Sequence, residues 1–335
     1  MAMCDNRLDL LWNKAEKYSN KIDDKIIILI KEAINNYSPL EEIQKLKKYD
    51  IGYITFRDKC YPSLLKEIPD FPAIIYAKGN IGALNFPSIS IIGSRKFTIY
   101  GKRVCYNLAR KCSEAGLSIV SGLALGIDSI AHLAAVDNSS VTVGVLGCGL
   151  DHVYPETNRQ LAGRIIQNGG VIISEYPPGT PPYKANFPAR NRIIAGLSRG
   201  TLVVEAAPKS GALITAYLAL EYNRDVFAVP GNIDSESSLG TNQLIKEGAK
   251  LVSSSEDILN EFNITVINDQ EKMKQNLPLS NEEKIIIDIL NVGEKNIDEI
   301  VAESKLSIIE INVSLTMMEM KGMVENIGGG MYKKI

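Results

Sequence analysis

Residues 90–103, "SIIGSRKFTIYGKR", set an apolar run, a Gly-Ser turn, two adjacent cations and a second Gly-Lys within one short span. The run reads as a buried strand and the part from Tyr100 onward has helical spacing. The same unit of strand, glycine-rich turn and helix recurs through the middle of the chain. Apolar β-prone runs lie at 89–92, 117–120, 141–146, 171–174, 202–204 and 226–229, each without the polar alternation of a half-exposed strand, as expected of parallel strands covered on both faces. Helical spacing predicts helices over 100–115, 127–135, 158–168, 189–197 and 211–223. That order predicts an α/β fold, Rossmann-like, with a doubly wound and mostly parallel sheet.

Such a sheet binds ligands outside the carboxyl ends of its strands. The turns at that end, "GSRKFTIYG", "SGLALGID", "GCGLDHVYPET", "EYPPGTPPYKANFPARNR" and "EAAPKSGA", form a rim rich in Gly, Ser, Arg and Lys. No nucleotide loop is among them. A Walker loop needs four residues between Gly and Gly-Lys, then Ser or Thr; here the separation from Gly93 to Gly101 is too long and Arg103 replaces the hydroxyl. "GCGLDH" puts His152 where a dinucleotide fingerprint needs its third glycine.

What remains is a simpler anion site, a turn entering a helix with its N–H groups and dipole facing outward. Arg95 and Lys96 add charge there and Phe97 a ring face. As an isolated pair they read equally as solvated loop charges, but a second patch supports them. From Tyr176 to Val204 there is no acidic residue, while Lys184, Arg190, Arg192 and Arg199 surround Phe187. Cations for phosphates interleaved with rings for bases are what a single nucleic-acid strand requires. Catalytic groupings are sparse: there is no Gly-x-Ser-x-Gly elbow. Asp128, Glu175 and Glu205 near strand ends read either as an acid or base, or as helix caps and partners of the rim arginines.

The 335 residues allow two or three domains. No apolar run approaches the roughly 18 residues that span a bilayer, and the opening "MAMCDNRLDL" lacks the apolar core of a signal peptide, so no membrane segment and a cytoplasmic location are expected. Five scattered cysteines without a Cys-x-x-Cys pair, and two histidines, argue for reduced thiols and against structural zinc. Residues 1–80 read as a small helical lead-in, with helices at 22–34 and 38–50 and prolines interrupting regular structure beyond them. A domain over 81–262, a linker over 263–279 and a tail over 280–335 complete the division. Residues 81–255 hold 16 Lys and Arg against 12 Asp and Glu, whereas 280–335 hold 6 against 10. The tail reads as three amphipathic helices and two β-prone arms around three glycines, the order of a winged helix. Its third helix, over 307–321, has Glu310 and Glu319 and only Lys321 as a cation. A helix that enters a DNA groove needs Arg, Lys, Asn or Gln, so this tail is expected to contact protein or to modulate DNA binding weakly.

The ordered set "GSRKFTIYG", "SGLALGIDSIAH", "VGVLGCGLDHVYPETN", "ISEYPPGTPPYKANFPARNRIIAGLS", "VVEAAPKSGALITAYLA", "VFAVPG" and "GTNQLIKEGA" resembles the DNA-processing protein A family, DprA or Smf. The resemblance implies a Rossmann-like domain without a nucleotide cofactor that binds single-stranded DNA, protects it and helps load the RecA recombinase on it during natural transformation. It implies no catalysis, and a homodimer formed through this domain. By resemblance Arg95 holds the DNA backbone, Lys184 contacts a phosphate and Phe187 stacks a base. Gly93, Ser94, Ser121 and Gly122 match the pocket floor, and Arg190, Asn191 and Arg192 match the signature, with Arg192 a candidate for supporting the pocket from behind by pairing with a carboxylate. The lead-in resembles a reduced sterile-alpha-motif-like domain. The competing reading is a nucleotide phosphoribohydrolase of a related Rossmann-like kind; "VPGNIDSESSLGT" breaks the "PGGxGT" spacing such enzymes are expected to show.

Overall fold

The structure, a computed structural model, describes residues 38–264, 280–320 and 323–334, with Lys25, Ile28 and Glu32. The helix expected at 22–34 and the linker at 263–279 lie almost wholly outside them. The described residues fall into two compact units that part after Ile264.

In the first unit, helix α1 (Pro39–Lys48) precedes strand β1 (Gly52–Thr55), the short helix α2 (Ser63–Lys66) and β2 (Ile74–Gly79). Then strands and helices alternate: β3 (Ser88–Ile92), α3 (Ile99–Glu114), β4 (Ser118–Ser121), α4 (Ile127–Asp137), β5 (Thr142–Leu146), α5 (Arg159–Gln167), β6 (Val171–Ser174), α6 (Asn186–Leu197), β7 (Gly200–Val203), α7 (Gly211–Glu221), β8 (Asp225–Ala228), α8 (Glu236–Lys246), β9 (Lys250–Leu251) and α9 (Ser255–Glu261). They build one nine-stranded sheet in the order β1-β2-β6-β5-β4-β3-β7-β8-β9. From β6 to β9 all neighbours are parallel. Every residue of β3 to β7 is buried, which is why these strands read as continuous apolar runs. Ile193, Ile194, Ala212 and Ala216 of α6 and α7 cover one face with Val120, Val143 and Val203. Leu108, Ala131 and Ile258 of α3, α4 and α9 cover the other with Ile89, Ile119 and Leu202.

The helical lead-in over 1–80 is corrected by β1 and β2. They pair with each other, and β2 pairs antiparallel with β6, so residues from Gly52 extend the sheet. The prolines that read as interruptions lie between these strands, and Tyr61 donates from its hydroxyl to the Pro72 carbonyl at 2.6 Å. Ion pairs Arg224–Glu67 (2.7 Å) and Arg192–Asp70 (3.2 Å) bind the connection to the main body.

Chain order decides where a ligand can sit. The chain winds from β3 through β4 and β5 to β6, then crosses to lay β7 on the other flank of β3. The loops after β3 and β7 therefore diverge and leave a crevice at that switch point.

The second unit is a winged helix. Helices α10 (Asn281–Leu290), α11 (Ile297–Ser304) and α12 (Ile308–Met320) accompany strands β10 (Lys295–Asn296), β11 (Val324–Gly328) and β12 (Met331–Lys334), ordered β10-β12-β11. Reciprocal caps, Ser280 with Glu283 and Asn296 with Glu299, start α10 and α11. Gly328, Gly329 and Gly330 turn the wing at φ of 97°, 64° and 76°, which side chains with a Cβ rarely adopt.

Candidate nucleic-acid interface

A cleft of about 1120 Å³ opens at the switch point. One wall is the loop after β3, held from below. The Ser94 amide donates to the Glu205 carbonyl at 2.8 Å, and the Ile127 amide donates to the Ser94 carbonyl at 3.2 Å. The Ser94 hydroxyl donates to the Lys96 carbonyl and accepts from the Lys96 amide, at 2.7 and 3.0 Å, closing a tight turn. Gly93 and Gly126 allow the close approach: a Cβ on Gly93 would lie 2.8 Å from the Ile127 side chain, and one on Gly126 would strike the Ser94 carbonyl. The result is a fixed backbone that presents Arg95 and Lys96 exposed on the rim.

The opposite wall is α6. Phe187, Arg190, Asn191 and Ile194 recur at the spacing of one helix face and all four line the cleft. Phe187 seats its edge against Gly147, where a Cβ would come within 3.1 Å of the ring, and Asn186 donates to the Gly147 carbonyl at 3.1 Å. The Phe187 ring lies 5.5 Å from that of Tyr154, and the Arg95 guanidinium stands 5.9 Å from its centroid. A half-buried aromatic pair edged by a cation is a stacking platform. Gly122, Leu125, Tyr154 and Phe187 line a smaller recess beside it.

The residues expected at this site divide by structural duty. Gly93, Ser94, Arg95, Lys96, Lys184, Phe187 and Asn191 come together on the cleft. Ser121 does not, because it is buried in the sheet and donates to the Ile91 carbonyl at 2.7 Å. Arg190 faces the cleft but is only 4% exposed. Its guanidinium is spent on the carbonyls of Gly122 and Val145. It also lies against buried Asp128, whose Oδ2 accepts the Gly122 amide at 3.1 Å. Burial lowers Arg190 to about 10, so it remains a cation, and burial pushes Asp128 up while Arg190 and the amides of Ala124 and Gly122 pull it back. Gly122 admits this pair, since a Cβ there would lie 2.7 Å from both side chains. Arg192 points away from the cleft and pairs with Glu175 at 2.5 Å and Asp70 at 3.2 Å.

The open helix N-terminus expected behind "GSRK" is also corrected. Glu205, 2% exposed, reaches the first turn of α3 and accepts the Thr98 amide at 3.0 Å and hydroxyl at 2.5 Å. A Cβ on Gly101 would collide with that carboxylate, so the second glycine of "GSRKFTIYG" makes room for an internal anion. The lining residues that the sequence did not assign include a ring and a cation: Tyr154, inside the "VYPET" turn, and Lys209, exposed in "APKSG". The rim turns named both segments, but only the fold shows which side chain faces inward. Among the cleft's lining residues the exposed charges are Arg95, Lys96, Lys184 and Lys209 against Glu236.

A doubly wound α/β domain whose switch point carries cations and stacked rings, with no dinucleotide loop, belongs to the nucleic-acid-binding class of such folds. The family described as DNA recombination-mediator protein A matches residues 52–263, and its winged helix domain matches 270–330. The chain belongs to that family. It is 47% identical over 222 residues to DNA processing protein DprA of Streptococcus pneumoniae, covering 66% of this chain and 76% of the relative. It is 34% identical over 357 residues to Protein Smf of Synechocystis, covering 96% and 88%. Among solved structures it resembles DNA processing protein A of Streptococcus pneumoniae at a TM-score of 0.65 and 43% identity, covering 70% of this chain and 82% of that one. It also resembles DNA processing protein A of Helicobacter pylori, described for its single-stranded DNA binding mode, at a TM-score of 0.57 and 34% identity, covering 63% and 95%.

Proposed function

We propose that the cleft at the β3–β7 switch point holds single-stranded DNA and that the chain acts as a recombination mediator without a catalytic step. The observation that carries this reading is the division of charge. Four exposed cations, Arg95, Lys96, Lys184 and Lys209, face the cleft beside the Phe187–Tyr154 pair. The three carboxylates that could have served as acid or base are committed elsewhere: Asp128 to Arg190 and Gly122, Glu175 to Arg192, and Glu205 to Thr98. Arg95 and Lys184 take phosphates and Phe187 stacks a base, while Arg190 and Asp128 hold the floor. The volume exceeds the 300 to 1,000 Å³ or so usual for a small-molecule pocket and suits a polymer segment.

Within this reading the strand is protected in the cytoplasm and passed to RecA by a homodimer. The face best suited to a second copy is the sheet edge at β9, where Leu251, Leu239 and Ile233 are exposed around a recess of about 600 Å³; Leu239→Glu should lower the mass measured by sedimentation. The central test is a gel shift with single-stranded and duplex oligonucleotides at several salt concentrations on the parent and on Arg95→Glu. Preference for the single strand that is lost in the variant supports the proposal; unchanged binding sinks it. Release of free base from nucleoside monophosphates would instead favour the phosphoribohydrolase reading.

A further inference from the structure

The position that reads DNA in many winged helices is filled here by a helix apolar on both sides. Ile311, Leu315 and Met318 of α12 face its own core. On the opposite side Ile309, Val313 and Met317, spaced by one turn, are 72%, 59% and 50% exposed. A helix hydrophobic all round is normally buried on all sides, so this outer stripe, about 12 Å long from its helical rise, is unfinished within the described residues. One margin is acidic. By helical spacing Glu310 borders the Met317 side, its carboxylate also accepting the Ser307 amide and hydroxyl at 2.8 and 2.7 Å, while the uncharged Thr316 and Asn312 border the other, and the tail carries 10 carboxylates to 6 cations. Two of those cations are already paired with glutamates of the same unit, Lys295 with Glu303 and Lys333 with Glu325.

The geometry points to a docking face for an amphipathic helix of another protein, apolar on its contact stripe and edged with Lys or Arg. The apolar stripe supplies burial, and Glu310 together with the acidic balance of the tail selects the charge of the flanks. Duplex DNA fits poorly, because its phosphates would meet Glu310 and an acidic unit across an apolar surface.

The test uses the full chain and two synthetic helical peptides with leucines in the same i, i+4 register, one edged with lysine and one with glutamate, followed by fluorescence anisotropy. The lysine-edged peptide should bind preferentially. Val313→Asp should weaken that binding about tenfold or more by placing a charge in the contact. The added carboxylate would strengthen purely electrostatic attraction, so the direction separates docking from charge alone. Glu310→Gln, at an exposed position, keeps an oxygen for Ser307 and should reduce the preference for the lysine-edged peptide. Arg95→Glu should leave peptide binding unchanged, which keeps this outcome separate from that of the cleft. Equal binding of both peptides, or retained binding in Val313→Asp, overturns the proposal. So does a loss of self-association in that variant, which would make a second copy the occupant, or a loss of duplex affinity, which would make it DNA.

Discussion

The cleft at the switch point and the outer face of α12 are opposite solutions to presenting a surface. At the cleft, carboxylates are turned inward toward Arg190, Arg192 and Thr98, and the exposed charge is cationic but for Glu236. On α12, Glu310 and Glu319 stay outside and the middle is apolar. Identity of residue type matters less than which groups the fold has already consumed. An arginine at the cleft can be consumed by the floor or left exposed on the rim, and Arg190 and Arg95 are one of each.

That distinction can be broken experimentally, beginning where the effect is largest. Arg190→Met should cost roughly 1 to 3 kcal/mol for each of the buried Gly122 and Val145 carbonyls it leaves without a donor, and removes the cation nearest Asp128, read from the denaturant midpoint. If it lowered DNA affinity with the midpoint unmoved, Arg190 would be a ligand. Arg95→Glu should do the reverse, lowering single-strand affinity by at least about a hundredfold at an unchanged midpoint, with the salt slope reduced by about 0.7 or more. Phe187→Ala should weaken binding by up to about a hundredfold through lost stacking.

A pH titration compares the units directly. Both histidines of the chain precede the winged helix, and burial holds His132 down at about 3. The unfolded chain, with a histidine near 6.5, takes up the proton first as pH falls. This contribution is therefore intact above about 6.5 and is lost as pH drops toward 3. From pH 7 to 5 the first unit should lose on the order of 2 kcal/mol through this group, seen in urea midpoints, and His132→Gln should flatten that slope. The smallest effect is expected from Lys209→Ala, about threefold on oligonucleotides long enough to cross the cleft and none on shorter ones.

Much of this architecture was legible because buried parallel strands are mostly apolar and carry no alternation of charged residues, so β3 to β8 stand out from the segments around them. Strands β1 and β2 at one flank were not, because prolines between them resemble interruptions and the antiparallel partner that joins β2 to the sheet, β6, lies far along the chain. At the site, Arg95, Lys184 and Phe187 could be selected by type and surroundings. The burial of Ser121 and Arg190 could not, since it depends on strand register and on the Gly122 and Val145 carbonyls that only the folded loops bring to Arg190. Which of its two readings Glu205 takes, acid or base or helix cap, was hidden for the same reason: its target, Thr98, is 107 residues away.

The Glu205 carboxylate also bears on competition inside a crowded cell. Free nucleotides carry a compact, multiply charged phosphate tail, and a vacant helix end is the feature that tail prefers. Here that end already contains a fixed negative group, so under the proposed reading a mononucleotide would meet repulsion where it would otherwise dock, whereas a long chain of singly charged links could lie across the outer cations without entering. Selectivity for polymer over monomer would then begin with a seat that the protein has taken for itself.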